Sequence, residues 1–441
     1  LPSPLENPMT TTSRPRLVFA AFLAATVTVG CSAAVPDTTA PAPSGTTPAN
    51  PTSDAARCRQ LQAAAAANPP VFDAAATWNQ PAVCLGTRSD SARWAHNWFN
   101  YATVPGRTDP SKRGAIDVAF DEYSTPVYDA ADATGQAAVF ITGWGHGDNL
   151  GTQRTIPWNP SWLAANGNDL ELLILDRTTG REWGLWGFQK YNWSSCLTLA
   201  NLAAGYRPGV DLCAAMATVS RTPTGGFSDY RTSSGASDGW GRGMGAIQGL
   251  ALLPTLDEIE KGSINHALNM ETYSTMFGPA CTTAQMATAA AGVDCGFAVA
   301  PATRIEWPDG ATSLCGANSQ PGTSAGRAMT VPEGMRFAID LTDAQIDAWL
   351  DARGYRGAKR NTARIFAVAL RDYGWITSDT SCWGASVSVD GIANPRSAAR
   401  WNALGIDQFG PTGDTLLDGL ITSADQVRAI RPPTSAPVLT R

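Results

Sequence analysis

Two acidic side chains on one hairpin open the chemical reading of this chain. Glu182 begins the run Glu182-Trp183-Gly184-Leu185-Trp186-Gly187-Phe188, and Asp169 precedes Leu170-Glu171-Leu172-Leu173-Ile174-Leu175. Side chains alternate along a strand with period two, so Glu182, Gly184, Trp186 and Phe188 share a face. Asp169, Glu171, Leu173 and Leu175 share a face of the other arm. A register that brings these faces together sets two carboxyls beside a Trp. Glycoside cleavage commonly uses such a pair: one carboxyl protonates the leaving oxygen, the other attacks or activates water. Glu182 and Asp169 are the expected pair, with Trp186 as a stacking platform. A solvated hairpin end is the alternative, since Glu and Asp are usually surface residues.

His266 is expected as a hydrogen-bond donor or acid/base partner. It lies on the Ile264/Leu268 face of an alternating run, where a core histidine satisfied by one hydrogen bond is the competing reading. Trp144-Gly145-His146-Gly147-Asp148 displays an aromatic ring, an imidazole and a carboxylate on a backbone that glycines let bend. Trp144, His146 and Asp148 are therefore candidate sugar contacts, against a tight turn whose Trp plugs the core. Asp379, in the loop expected after the helix stop at Gly374, is a further substrate-binding candidate or else an Asx-turn residue.

Other chemistries find little support. Gly322-Thr323-Ser324-Ala325-Gly326 matches the nucleophile elbow, but a polar loop precedes it and all three histidines come earlier in the chain. The chain has no Walker A, H-E-x-x-H or EF-hand motif and no C-x-x-C pair. No metal site or cofactor is expected, and bound calcium is not readable from sequence. Net charge is −6, with 32 basic and 38 acidic residues, which argues against nucleic acid as a partner.

The elements that must position these residues read as short strands: Val118 to Phe120, Ala137 to Thr142, and the hairpin from Asp169 to Phe188 turning at Asp176-Arg177-Thr178-Thr179-Gly180. Gly235 to Gly249 reads as a long loop. Thr255-x-x-Glu258 and Thr342-x-x-Gln345 are capping boxes that start helices, and another helix spans about Thr362 to Tyr373. Few helices, many Gly and Trp, and no βαβ alternation predict a mainly β fold, a β-sandwich or jelly-roll with a few decorating helices.

Residues 1–30 read as a signal peptide. Arg14 and Arg16 precede an apolar run from Leu17 to Gly30 that is too short to span a bilayer, and Thr28-Val29-Gly30-Cys31 is close to a lipoprotein cleavage box. Cys31 is the expected lipidation site, with ordinary secretory cleavage near Ala33-Ala34 as the alternative. Residues 31–54 form a Pro/Thr/Ala tether, and residues 55–441 a single β-rich domain. Of nine cysteines, eight remain once Cys31 carries lipid. Proximity pairs them as Cys58–Cys84, Cys196–Cys213, Cys281–Cys295 and Cys315–Cys382, the last by elimination.

The block Glu258-x-x-x-Gly262-x-Ile264-x-His266-Ala267-Leu268 resembles one found in a mostly uncharacterised family of secreted bacterial proteins. Pro332-x-Gly334-Met335-Arg336-Phe337 and Ala369-Leu370-x-x-Tyr373-Gly374-x-x-x-x-Asp379 are similar to two further segments of that family. The resemblance covers roughly residues 169–379 and implies a polysaccharide or cell-envelope glycan as ligand. Where members often carry an Asp, this chain has Gln248-Gly249-Leu250.

The expectation is an exported protein, held at the cell membrane or surface by an N-terminal lipid or else secreted, that binds and cleaves a glycan with paired carboxylates. The alternative is a non-catalytic glycan-binding or envelope-scaffold lipoprotein.

Overall fold

In the computed structural model the described residues run from 51 to 432, apart from 105–108, 143–146, 149, 151–153, 220–227, 233–246, 248, 283, 286–293, 307–323 and 408–414. The signal segment, Cys31 and most of the tether lie outside them. The architecture below is that of the unit Ala49–Arg441.

Three sheets build it. The largest has six strands in the order Ile116–Ala119, Ala385–Ser388, Leu268–Thr272, Trp375–Thr380, Arg336–Ile339 and Val427–Ala429. Its first two strands pair parallel, as do Leu268–Thr272 and Trp375–Thr380. A five-stranded sheet runs Val127–Asp129, Leu172–Asp176, Arg181–Trp186, Met216–Val219 and Gly147–Asp148. A three-stranded sheet joins Thr155–Trp158, Gly135–Ile141 and Leu212–Ala214.

Three apolar cores separate the layers. Helices Asp343–Ala352 and Gly357–Asp372 cover one face of the large sheet, burying Ile346, Leu350, Phe366 and Leu370 with Ile116, Val118, Phe337 and Trp375. The second core joins Leu173 and Leu175 of the middle sheet to Ile376 of the large one, and the third sets Leu172, Ile174, Trp183 and Leu185 against Val139 and Ile156. The middle sheet is thus covered on both faces. That explains why Leu172-Leu173-Ile174-Leu175 is apolar without alternation: a strand buried on both sides needs no polar side.

The fold is therefore mixed α/β, and this corrects the expected β-sandwich or jelly-roll. Two features hid it. Parallel strands require long crossovers, so strands adjacent in space are remote in sequence. In addition, Trp375–Thr380, expected as a loop after Gly374, is a strand. Gly374 has φ +74°, and a Cβ there would lie 1.9 Å from the Phe337 carbonyl oxygen, so only glycine lets the helix turn directly into the sheet.

The predicted helices and the Leu172/Arg181 hairpin form, with the helix expected from about Thr362 beginning earlier, at Gly357. Disulfides Cys58–Cys84, Cys196–Cys213 and Cys281–Cys295 are present, and Cys382 is also disulfide-bonded. Cys315 lies outside the described residues. Such bridges belong to an oxidising compartment and mark an exported protein. Among the described residues no helix is long and apolar enough to cross a membrane.

Candidate active site

A row of acidic residues crosses the large sheet. Asp117 pairs with Ser386, Ser386 with Glu271, and Glu271 with Asp379. Residues paired across a ladder share a face, so four neighbouring strands present Asp117, Ser386, Glu271 and Asp379 together. Their neighbours Ile116, Val118, Leu268 and Met270 point the other way and are fully buried under the helices. A register shift at Met270/Glu271 sets Glu271 opposite Asp379 rather than Ser378.

Above this row lies a cavity of about 240 Å³ lined by Asp117, Glu122, Tyr123, Asn168, Asp169, Glu271 and Trp383. Trp383 is 64% exposed, an unusual cost for so large an apolar ring. Tyr123 adopts φ +59°, a left-handed conformation rare for a bulky residue. It is pinned there by its N–H to the Asn166 carbonyl (3.1 Å) and by the Ser388 hydroxyl donating to its own carbonyl (2.8 Å). A smaller space of about 30 Å³ shares Glu271 and adds Glu171, Asn269, Ser378, Asp379 and Ser388. Thr125 donates to Glu171 at 3.3 Å, and the Asn269 amide and Ser388 backbone exchange bonds of 2.8 and 3.1 Å. These bonds hold the floor between the large and middle sheets.

Strand spacing sets the distances between the acids. At about 4.8 Å per strand, the Asp117 and Glu271 backbones, two strands apart, lie about 9–10 Å from each other, and Glu271 and Asp379 about 5 Å. Two carboxyls about 6.5–9.5 Å apart leave room for a water between them and a sugar, whereas about 5 Å suits direct attack.

A second cluster shares Asp379. One carboxylate oxygen each from Glu306, Glu333 and Asp379 lie within 4.8 Å of one another. Glu333 is fully buried, and neither of its oxygens has a hydrogen-bonding partner. Burial, then the charges of Glu306 and Asp379, push its carboxyl well above the usual range; Arg304 and the backbone at Glu306 act in the opposite direction. Its backbone is fixed by the Val299 N–H donating to its carbonyl and the Gly334 N–H donating to Thr377, both at 2.8 Å. Gly334 has φ +80°, and a Cβ there would sit 1.7 Å from the Val299 oxygen.

The residues expected from sequence scatter. Glu182 is opposite Leu175 near the turn, while Asp169 lies at the open end of the hairpin. At about 3.3 Å per residue they are on the order of 15–20 Å apart, so the expected carboxyl pair does not form. Glu182 is buried in the middle sheet, and half-buried Trp186, opposite Met216, lines neither space. Asp169 and Asp379 do line the two spaces.

His266 is a core residue, 1% exposed, preceding the Leu268–Thr272 strand. Its Nδ1 is 2.8 Å from the Ala267 carbonyl and its Nε2 3.3 Å from the Glu258 carboxylate, which also caps its own helix through Thr255. This corrects the acid/base role: both ring nitrogens are engaged away from the groove. Trp144 and His146 lie outside the described residues, as does the side chain of Asp148, whose backbone pairs with Ala217. Cys31 likewise lies outside them.

Sequence reasoning missed Asp117, Glu271, Glu333, Glu306 and Trp383. The first two carried a usable signal: an acidic residue alternating with core residues in a strand run, as in Ile116-Asp117-Val118 and Leu268-Asn269-Met270-Glu271, faces away from the core. Glu333 sits in the Pro332-x-Gly334 segment. No local pattern marks Glu306 or Trp383.

No family model, curated protein or solved structure matches this chain.

Proposed function

We propose that this exported protein is a glycan-cleaving hydrolase, with Asp117 and Glu271 as the carboxyl pair and Trp383 as a sugar platform. The observation that carries the reading is that Asp117 and Glu271, on one face of the large sheet, both line a cavity rimmed by an exposed Trp. Two acids on strands of one sheet, separated by a single strand, hold a fixed separation that flexible loops would not. Their backbones lie about 9–10 Å apart, and carboxyls that lean together over the cavity would reach the about 6.5–9.5 Å of an inverting course, in which one carboxyl activates water and the other protonates the leaving oxygen. Asp169 and Asn168 at the rim are positioned to bond sugar hydroxyls. A polysaccharide or cell-envelope glycan as substrate, and a lipid on Cys31 that holds the enzyme at the membrane, complete the proposal.

The test is release of new reducing ends from a panel of polysaccharides and envelope glycans. Wild type is expected to cleave at least one, and Glu271→Gln to bind it without cleaving. A wild-type protein that binds glycan but releases nothing is the non-catalytic binder. One that neither binds nor cleaves overturns the reading. Membrane fractionation of Cys31→Ser tests the anchor: the variant should leave the membrane fraction.

A further inference from the structure

We infer that Glu306, Glu333 and Asp379 form a binding site for a hard divalent cation, calcium above all. Three carboxylate oxygens converge within 4.8 Å. Two oxygens on opposite sides of a calcium ion at about 2.4 Å each lie about 4.8 Å apart, so such a set fits around one ion. An all-oxygen, carboxylate-rich donor set selects calcium, magnesium or manganese over the softer metals that take Cys or His.

Convergence alone is common among acidic residues. Glu333 provides the independent observation. It has no exposed surface, and neither carboxylate oxygen finds a hydrogen-bond donor. A buried carboxylate left unbonded keeps the full desolvation penalty of its oxygens, so folded chains keep one only where something else answers it. The two side chains that converge with its carboxylate are also acids. Arg304 lies near enough to favour the charged form of Glu333, but one guanidinium does not balance three carboxylates.

The position is built rather than incidental. Gly334 admits no Cβ, and the bonds from Val299 to Glu333 and from Gly334 to Thr377 lock the segment against the strand that carries Asp379. Glu333 is thereby held facing the end of the Trp375–Thr380 strand. The ion would lie beside the strand partner of Glu271 and fix the Asp379 carboxylate at the edge of the groove.

The experiment does not depend on the glycan reading, because it reads metal occupancy and folding. The full chain, stripped with EDTA, is titrated with calcium, magnesium and manganese by calorimetry, and thermal unfolding is followed with each ion. One ion per chain is expected, with calcium raising the melting temperature. Glu333→Gln should weaken calcium binding about 100-fold or more and abolish that rise. In EDTA the same variant should melt at or above wild type, because an uncompensated buried acid is gone. Asp379→Asn serves as a second variant and should also lose the calcium response. Wild type that binds none of the three ions saturably, or Glu333→Gln that binds calcium as wild type does, overturns the site.

Discussion

Two sets of buried ionisable groups in this molecule are built on opposite principles. Around His266 every polar atom of the ring has a partner: Ala267 takes one nitrogen and Glu258 the other. Burial opposes the charge on each, but mutual attraction prevails, raising the His266 pKa above its usual 6.5 and lowering that of Glu258 below 4.5. At the end of the large sheet Glu333 converges with two further acids, neither of its carboxylate oxygens has a hydrogen-bonding partner, and Arg304 offers only partial compensation. The first set pairs opposite charges within the chain and holds it together. The second gathers like charges, and of its three members Asp379 also lines the smaller space beside Glu271. A buried charge therefore reads as structural or as functional according to whether its partners are already in the chain.

If that distinction holds, substitutions in the two regions should fail differently. Glu271→Gln, beside the acidic set, should lower glycan turnover by about 10²–10⁴-fold, the range for loss of a general acid or base, with no fall in melting temperature. A matching fall in melting temperature would move Glu271 into the structural class. His266→Ala, in the paired region, should cost about 3–5 kcal/mol in denaturant unfolding, because buried Glu258 loses its charge partner. Retention of full stability there would break the comparison from the other side.

The pH dependence sharpens it. His266, with its raised folded pKa, contributes stability that is complete below about pH 6.5 and lost as pH rises through the folded value. Glu258, lowered, contributes stability that is complete above about pH 4.5 and lost as pH falls through its folded value. Wild-type stability should therefore decline on the alkaline side more than that of His266→Ala, as followed by melting temperature from pH 6 to 9. The smallest effect is expected from Trp383→Ala. Loss of one stacking surface worth about 1 kcal/mol should raise KM roughly fivefold with little change in kcat.

Legibility in the sequence followed distance along the chain. The hairpin was readable because its two arms and turn occupy twenty consecutive residues, and Asp176 bonds the Thr178 and Thr179 N–H groups (2.9 and 3.1 Å) as a turn Asp does. Three disulfides were readable from proximity because they close loops of 26, 17 and 14 residues. The candidate site was mostly hidden, since residues 117, 271, 306, 333 and 379 belong to separate segments. Asp379 was singled out, but as a loop residue rather than a strand residue, and Asp169 was singled out with the wrong partner.

Local chemistry alone determined the helices with their caps, the turn, the oxidising compartment and the presence of acids among apolar strand residues. Those depend on neighbours a few positions away, which any stretch of chain carries within itself. Only the tertiary structure decided which acids meet. Parallel pairing of Leu268–Thr272 with Trp375–Thr380 joins residues about a hundred apart, and a one-residue register shift sets Glu271 against Asp379. Period-two side-chain alternation then converts that register into a face, so the site follows from pairing rather than from any motif.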